Sequence, residues 1–188
     1  MNNNITAVIL CGGQGKRIGR NKAFLKIGNK PFVETLINKL QGLFQKIIIS
    51  TKRPAPYRYL ESAEAAIVND RSKILGSLIG IYSALRKSPT KYIFVIAVDM
   101  PTIETGLIKR LLANRNGYDV VIPQTRKGLE PLCAVYSKKC LTAIARQIRN
   151  GNYKIIDFFE QVRVKTVRLN RDGLFNVNTL KDYCQLRI

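Results

Sequence analysis

Residues 5–22 read Ile5-Thr6-Ala7-Val8-Ile9-Leu10-Cys11-Gly12-Gly13-Gln14-Gly15-Lys16-Arg17-Ile18-Gly19-Arg20-Asn21-Lys22. A short apolar run ends at Leu10, four glycines follow, and Lys16, Arg17, Arg20 and Lys22 stand among them. The run suits a buried strand. The glycines let backbone N–H groups turn inward and approach a ligand with no side chain between. Cations around such a turn make a site for phosphate, the plain alternative being a glycine-rich surface turn. Two familiar phosphate loops fail on spacing. A Walker loop built on Gly15-Lys16 needs glycine where Leu10 stands and a hydroxyl where Arg17 stands. A dinucleotide fingerprint begun at Gly13 and Gly15 needs its third glycine at Ile18. The loop is of a third kind: long, basic and closed by a lysine.

The same strand pattern recurs outward from this stretch, at residues 46–50, 66–68, 92–98 and 120–122. Between these runs the spacing is helical. Phe32, Val33, Leu36, Ile37, Leu40 and Leu43 form an apolar stripe opened by Pro31, a favoured residue for a first turn. Leu78, Ile81, Tyr82 and Leu85 form a second stripe. Leu107, Ile108, Leu111 and Leu112 form a third, with Glu104 expected in its first turn. Residues 132–137 and 162–169 read as further strands around a helical pattern at 140–149, and a closing helix is expected from Thr179. Residues 52–59, with two prolines, read as loop. No repeat or linker divides the chain, so residues 1–188 form one domain. Strand alternating with helix predicts an α/β fold with a mostly parallel sheet and right-handed crossovers.

In such sheets ligands sit beyond the carboxyl ends of the strands. That rule brings together the glycine loop, Asn69-Asp70 after the third strand and Asp99-Met100-Pro101 after the fourth. Asp99 follows seven consecutive apolar or aromatic residues, Tyr92 to Val98. A carboxylate at the end of a buried strand needs a partner, and magnesium held with phosphate oxygens is one; a helix-cap or turn role is the other. Asp70 suits a base or ribose, or an ion pair with Arg71. Asn176 and Asn178 suit either a cap for the last helix or a second substrate. Glu130, in Glu130-Pro131-Leu132, fits a turn as well as a site.

Lys and Arg number 32 against 12 acidic residues, a net charge of +20, which implies anionic partners. The cations are scattered and not interleaved with aromatics as in a single-strand binder, so nucleic acid is not the expected ligand. The chain has no histidine, which excludes His-based triads and imidazole metal ligands. Cys11, Cys133, Cys140 and Cys184 are too far apart for a C-x-x-C zinc pair and too sparse for a disulfide scaffold. Reduced thiols and a short first apolar run predict a cytoplasmic protein with no membrane partner.

Leu10-Cys11-Gly12-Gly13-x-Gly15-x-Arg17-Ile18-Gly19-x-x-Lys22 resembles the signature loop of the sugar-nucleotide type of nucleotidyltransferase. The Gly12-Gly13 pair narrows the resemblance to the molybdenum cofactor guanylyltransferases; cytidylyl relatives more often carry alanine before a single glycine. Gly76-Ser77-Leu78-Ile79-Gly80-Ile81, Ala97-Val98-Asp99-Met100-Pro101, residues 130–136 and Phe175-Asn176-Val177-Asn178-Thr179 resemble further blocks of that family, in its order. Cys11 stands where alanine is usual, Ile18 where methionine is, Ser77 and Leu180 where proline is, and Ser50 where some members have asparagine.

The resemblance implies a Rossmann-like three-layer sandwich of the nucleotide-diphospho-sugar transferase type. It implies transfer of GMP from GTP to the terminal phosphate of molybdenum-molybdopterin, with release of pyrophosphate and with Mg2+ held by Asp99. Leu10, Cys11, Gly12, Gly13, Gly15, Lys22, Asp70 and Asp99 would bind the nucleotide, with Arg17, Lys22 and Asp99 catalytic. Asn176 and Asn178 would face the pterin, Asn178 also near the metal. Apo-molybdoenzymes or their chaperones are implied as recipients of the product. Two other readings stay open: a CTP- or UTP-dependent transferase acting on the same pterin, a sugar phosphate or an isoprenoid alcohol phosphate, and a basic nucleic-acid-binding protein without activity.

Overall fold

A computed structural model of the chain describes residues 2–12, 19–69, 76–169 and 174–186. In chain order the elements are β1 (Asn2–Leu10), β2 (Lys26–Ile27), β3 (Lys30–Pro31), α1 (Phe32–Gln41), β4 (Phe44–Thr51), β5 (Ala65–Asn69), α2 (Ser77–Lys87) and β6 (Tyr92–Ala97). They continue with α3 (Thr105–Ala113), β7 (Val120–Thr125), β8 (Gly128–Leu129), β9 (Cys133–Ser137), α4 (Cys140–Arg149), β10 (Val164–Arg168) and α5 (Leu180–Gln185). Three short 3-10 turns, Lys22–Phe24, Ala55–Leu60 and Ile155–Gln161, lie between them.

The main sheet runs β10-β7-β9-β6-β1-β4-β5, with β8 paired to β7. β1 lies at its centre, parallel to β4 and β6, and β5 is parallel to β4. Only β9 runs against both of its neighbours, β6 and β7, and β10 is parallel to β7. The sheet is therefore mostly parallel, as the alternation predicts. β2 and β3 form a separate small hairpin whose turn uses Gly28 at φ +56°, a left-handed conformation that glycine adopts without cost.

Both faces of the sheet are covered, which is why its inner strands are apolar nearly throughout. Ile5, Ala7, Ile9, Phe94 and Ile96 point to one side, into a core with Phe32, Leu36 and Leu40 of α1 and Ile108 and Leu111 of α3. Val8, Ile93 and Val95 point to the other, against Leu78, Ile81 and Leu85 of α2 and Ile144 of α4. The result is a three-layer α/β/α sandwich. Phe44 and Phe94 stack across the first core with ring centroids 5.6 Å apart. No described helix is long and apolar enough to cross a membrane.

Two expectations are corrected. Glu104 is the N-cap residue of α3 rather than part of its first turn, because its backbone is still extended there. Residues 52–59 are not plain loop. The 3-10 turn Ala55–Leu60 folds Tyr57 inward, where it is only 1% exposed and packs on Phe24 with centroids 5.1 Å apart. Proline at the start of that turn and one buried aromatic were its only signals in the sequence.

Candidate active site

Parallel pairing puts the carboxyl ends of three strands side by side. Leu10 is in register with Ser50 of β4 on one flank and Ala97 of β6 on the other. The ladder continues one step further: Cys11 N–H donates to Ser50 O at 2.8 Å, and Val98 N–H donates to Leu10 O at 3.2 Å. α2 closes in behind this carboxyl edge. A Cβ on Gly80 would lie 3.2 Å from Leu10 Cδ2, so a side chain there would press on the strand end. Ser50 is buried under this helix.

On this edge Lys22 Nζ donates to Asp99 Oδ2 at 2.9 Å and to Asn178 Oδ1 at 2.8 Å. The Lys22 and Asp99 side chains are 16% and 22% exposed, a sheltered ion pair rather than a loose surface one. Each of the three is set by a different piece of structure. Lys22 opens the 3-10 turn Lys22–Phe24, which Asn21 caps by accepting from Ala23 N–H at 3.1 Å. Asp99 sits in the turn after β6, held by Met100 N–H to Ala97 O at 3.1 Å and by Val177 N–H to Asp99 O at 2.9 Å. Lys39 of α1 donates to Pro101 O at 2.9 Å and Ile103 O at 3.1 Å, and so binds the far side of the same turn. Burial lowers the Lys39 pKa, with Glu104 opposing the shift.

Asn178 is placed by the start of α5. Thr179 is the cap residue and accepts from Asp182 N–H, while Asp182 Oδ2 accepts from the N–H groups of Asn178 and Thr179 at 2.9 and 2.8 Å. This is a capping box. Asn176 and Asn178 are therefore not the cap, and their amides are left for the site. Asp99 is not a cap either, since Glu104 holds that position on α3.

Glu130 belongs to the same neighbourhood. Burial raises its carboxyl pKa and the Asp99 charge adds to this; the Asn176 side chain, by hydrogen bonding, and Lys127 oppose it. Asn176 Oδ1 is buried without a hydrogen-bond partner among the described residues, an acceptor still to be filled. The turn reading of Glu130 also holds for its backbone, which takes part in bonds to Pro123 and Cys133.

Of the residues expected from the sequence, Lys22 is in direct contact with Asp99 and Asn178, Leu10 ends β1 beside them with Cys11 and Gly12 following, and Asn176 bonds Glu130. Cys11 is buried, and burial pushes its thiol up to about 12, which keeps the sulfur protonated. Gly13, Gly15, Arg17 and Asp70 lie outside the described residues. The thiols of Cys133 and Cys140 are also buried, that of Cys184 is exposed, and all four are free.

A sheltered lysine–carboxylate pair at the carboxyl edge of a mostly parallel sheet, in a chain whose first strand runs into a basic glycine-rich sequence, is the arrangement of a nucleotidyltransferase. Comparison with known proteins makes the class specific: the chain belongs to the MobA-like NTP transferase domain family, whose model matches residues 7–165. It is 32% identical to a protein of Natranaerobius thermophilus named "Probable molybdenum cofactor guanylyltransferase", over 100% of this chain and 97% of that one. A protein of the same name from Pelotomaculum thermopropionicum is 35% identical, over 97% and 92%. Among solved structures, molybdopterin-guanine dinucleotide biosynthesis protein A of Archaeoglobus fulgidus superposes with a TM-score of 0.82 at 27% identity, covering 97% of this chain and 96% of that one.

Proposed function

We propose that this nucleotidyltransferase transfers GMP from GTP to the terminal phosphate of molybdenum-molybdopterin, forming the guanine dinucleotide cofactor and releasing pyrophosphate. The observation that carries the reading is the bridge from Lys22 Nζ to Asp99 and Asn178 at the strand ends. The names of the full-length relatives supply the substrates.

The attacking group is a phosphate oxygen that is already ionised. It forms a bond to the α-phosphorus of GTP as the bond to the β-phosphate oxygen breaks, so the reaction needs no protein nucleophile and no strong base. A chain without histidine can carry it. What remains for the protein is positioning and charge neutralisation.

The residues present suit magnesium. Asp99 Oδ2 and Asn178 Oδ1 already converge on one cationic centre, the Lys22 ammonium. Two oxygen donors suffice for a cation that takes few protein ligands and fills its shell with phosphate oxygens and water. Asp99, with Asn178 beside it, would hold the ion; when bound it neutralises charge on the phosphates. Lys22 would bring its ammonium to the charge of the triphosphate and of the departing pyrophosphate. Asn176 Oδ1 offers an acceptor to an N–H or O–H donor of the second substrate, the pterin side in this reading.

The test is a side-by-side assay of GTP, CTP, UTP and ATP with magnesium and molybdenum-loaded molybdopterin, read as pyrophosphate release. A site that pairs with one base leaves buried groups unpaired with another, so GTP should lead by at least about a hundredfold. A preference for CTP would overturn guanylyl transfer and leave the nucleotidyltransferase class standing. Salt-sensitive binding of nucleic acid with no turnover would overturn the enzymatic reading.

A further inference from the structure

The Tyr57 hydroxyl lies at a junction that the mechanism above does not use. Asn21 Nδ2 donates to it at 3.1 Å, and the hydroxyl in turn lies 3.5 Å from Asn21 Oδ1. Asn21 immediately precedes Lys22. One buried hydroxyl, brought in from a turn more than thirty residues away in sequence, therefore braces the cap of the turn that carries Lys22. The Tyr57 hydroxyl thus both accepts from and donates to the one Asn21 side chain.

We propose that Tyr57 is a positioning residue for Lys22. Its hydroxyl holds the Asn21 amide so that Oδ1 keeps capping Ala23 N–H, and the capped turn aims Lys22 at Asp99 and Asn178. The ring is not needed for this: its packing on Phe24 stabilises the fold, whereas the hydroxyl sets the direction of a cation. The proposal rests on the functional reading above only for the rate that Lys22 supplies.

Tyr57→Phe keeps the ring and removes the hydroxyl, and Asn21→Ser keeps a cap acceptor while removing the donor to Tyr57. Each should leave the melting temperature near that of the wild type. Each should lower kcat for pyrophosphate release by about threefold to tenfold, the range set by the net worth of one hydrogen bond, with the KM for molybdopterin unchanged. The double variant should be no slower than the slower single one, because both cut the same link. Wild-type kcat in Tyr57→Phe, or additive losses in the double variant, would overturn the proposal.

A second readout does not depend on turnover. Hydrogen exchange at the Ala23 amide, which is bonded to Asn21, should speed up in Tyr57→Phe; unchanged exchange there would overturn the link itself. Should the wild type turn over none of the four nucleotides, the functional reading fails, and the Ala23 amide still decides for or against Tyr57.

Discussion

Lys22 and Lys26 are four residues apart in a basic segment, and only their surroundings separate them. Lys22 is sheltered and doubly bonded, whereas Lys26 is exposed on the β2–β3 hairpin. Lys22→Ala should cost a factor of about 10² to 10³ in turnover, the loss typical of one positioned group facing developing charge. Lys26→Ala should stay close to the wild-type rate under the same pyrophosphate assay. Equal, small effects would remove Lys22 from the mechanism. At this scale the sequence was legible where a motif carries its own chemistry: Lys22 closes the glycine loop and Asp99 ends an apolar strand. It was silent on Tyr57 and Lys39, and it left Glu130 open. Each of these has a partner far away in sequence, Asn21 for Tyr57, Pro101 for Lys39 and Asn176 for Glu130, and no local pattern encodes such a partner.

The elements matter here through their ends. α1 contributes Lys39 near its C-terminus, and that ammonium satisfies two carbonyls of the turn bearing Asp99. Lys39→Met leaves Pro101 O and Ile103 O without this donor, and a chemical denaturation curve should show a loss of about 1–3 kcal/mol. Lys39→Arg should recover part of it. An unchanged midpoint in Lys39→Met would mean that the turn holds itself. α5 acts through its capping box. The backbone N–H of Asn178, then that of Thr179, lower the Asp182 pKa below its ordinary 3.8. A depressed carboxylate stabilises the fold above its unfolded pKa and loses that contribution as the pH falls through the folded value. Asp182→Asn should therefore lower the melting temperature at neutral pH and converge on the wild type as the pH falls below 3.8 and through the depressed folded value. A gap that persists in strong acid would assign the effect to packing instead. Apolar spacing marked α1, α2 and α3 with boundaries shifted by one or two residues, the helical pattern at 140–149 coincides with α4, and the closing helix expected from Thr179 is α5. The antiparallel insertion of β9 had no such mark, because a strand buried on both faces reads alike in either direction.

For the whole molecule, the decisive fact is how far apart in the chain the site's parts lie. Lys22 and Asn178 are separated by 156 positions, yet their side chains are 2.8 Å apart. The parallel sheet produces this closeness: β1 and β6 run side by side and deliver Lys22 and Asp99 to one edge, and the segment before α5 returns across it through Val177. The alternation of strand and helix made that edge predictable, whereas the return of residues 174–178 was legible only through the family resemblance. The central claim is that Lys22, Asp99 and Asn178 form the nucleotidyl-transfer centre. Its most direct test is pyrophosphate release by purified Asp99→Ala at saturating GTP, magnesium and molybdenum-molybdopterin, with the fold checked by circular dichroism. The account predicts a folded protein with less than about a tenth of the wild-type rate; a folded variant that keeps more than that would contradict it and place the centre elsewhere.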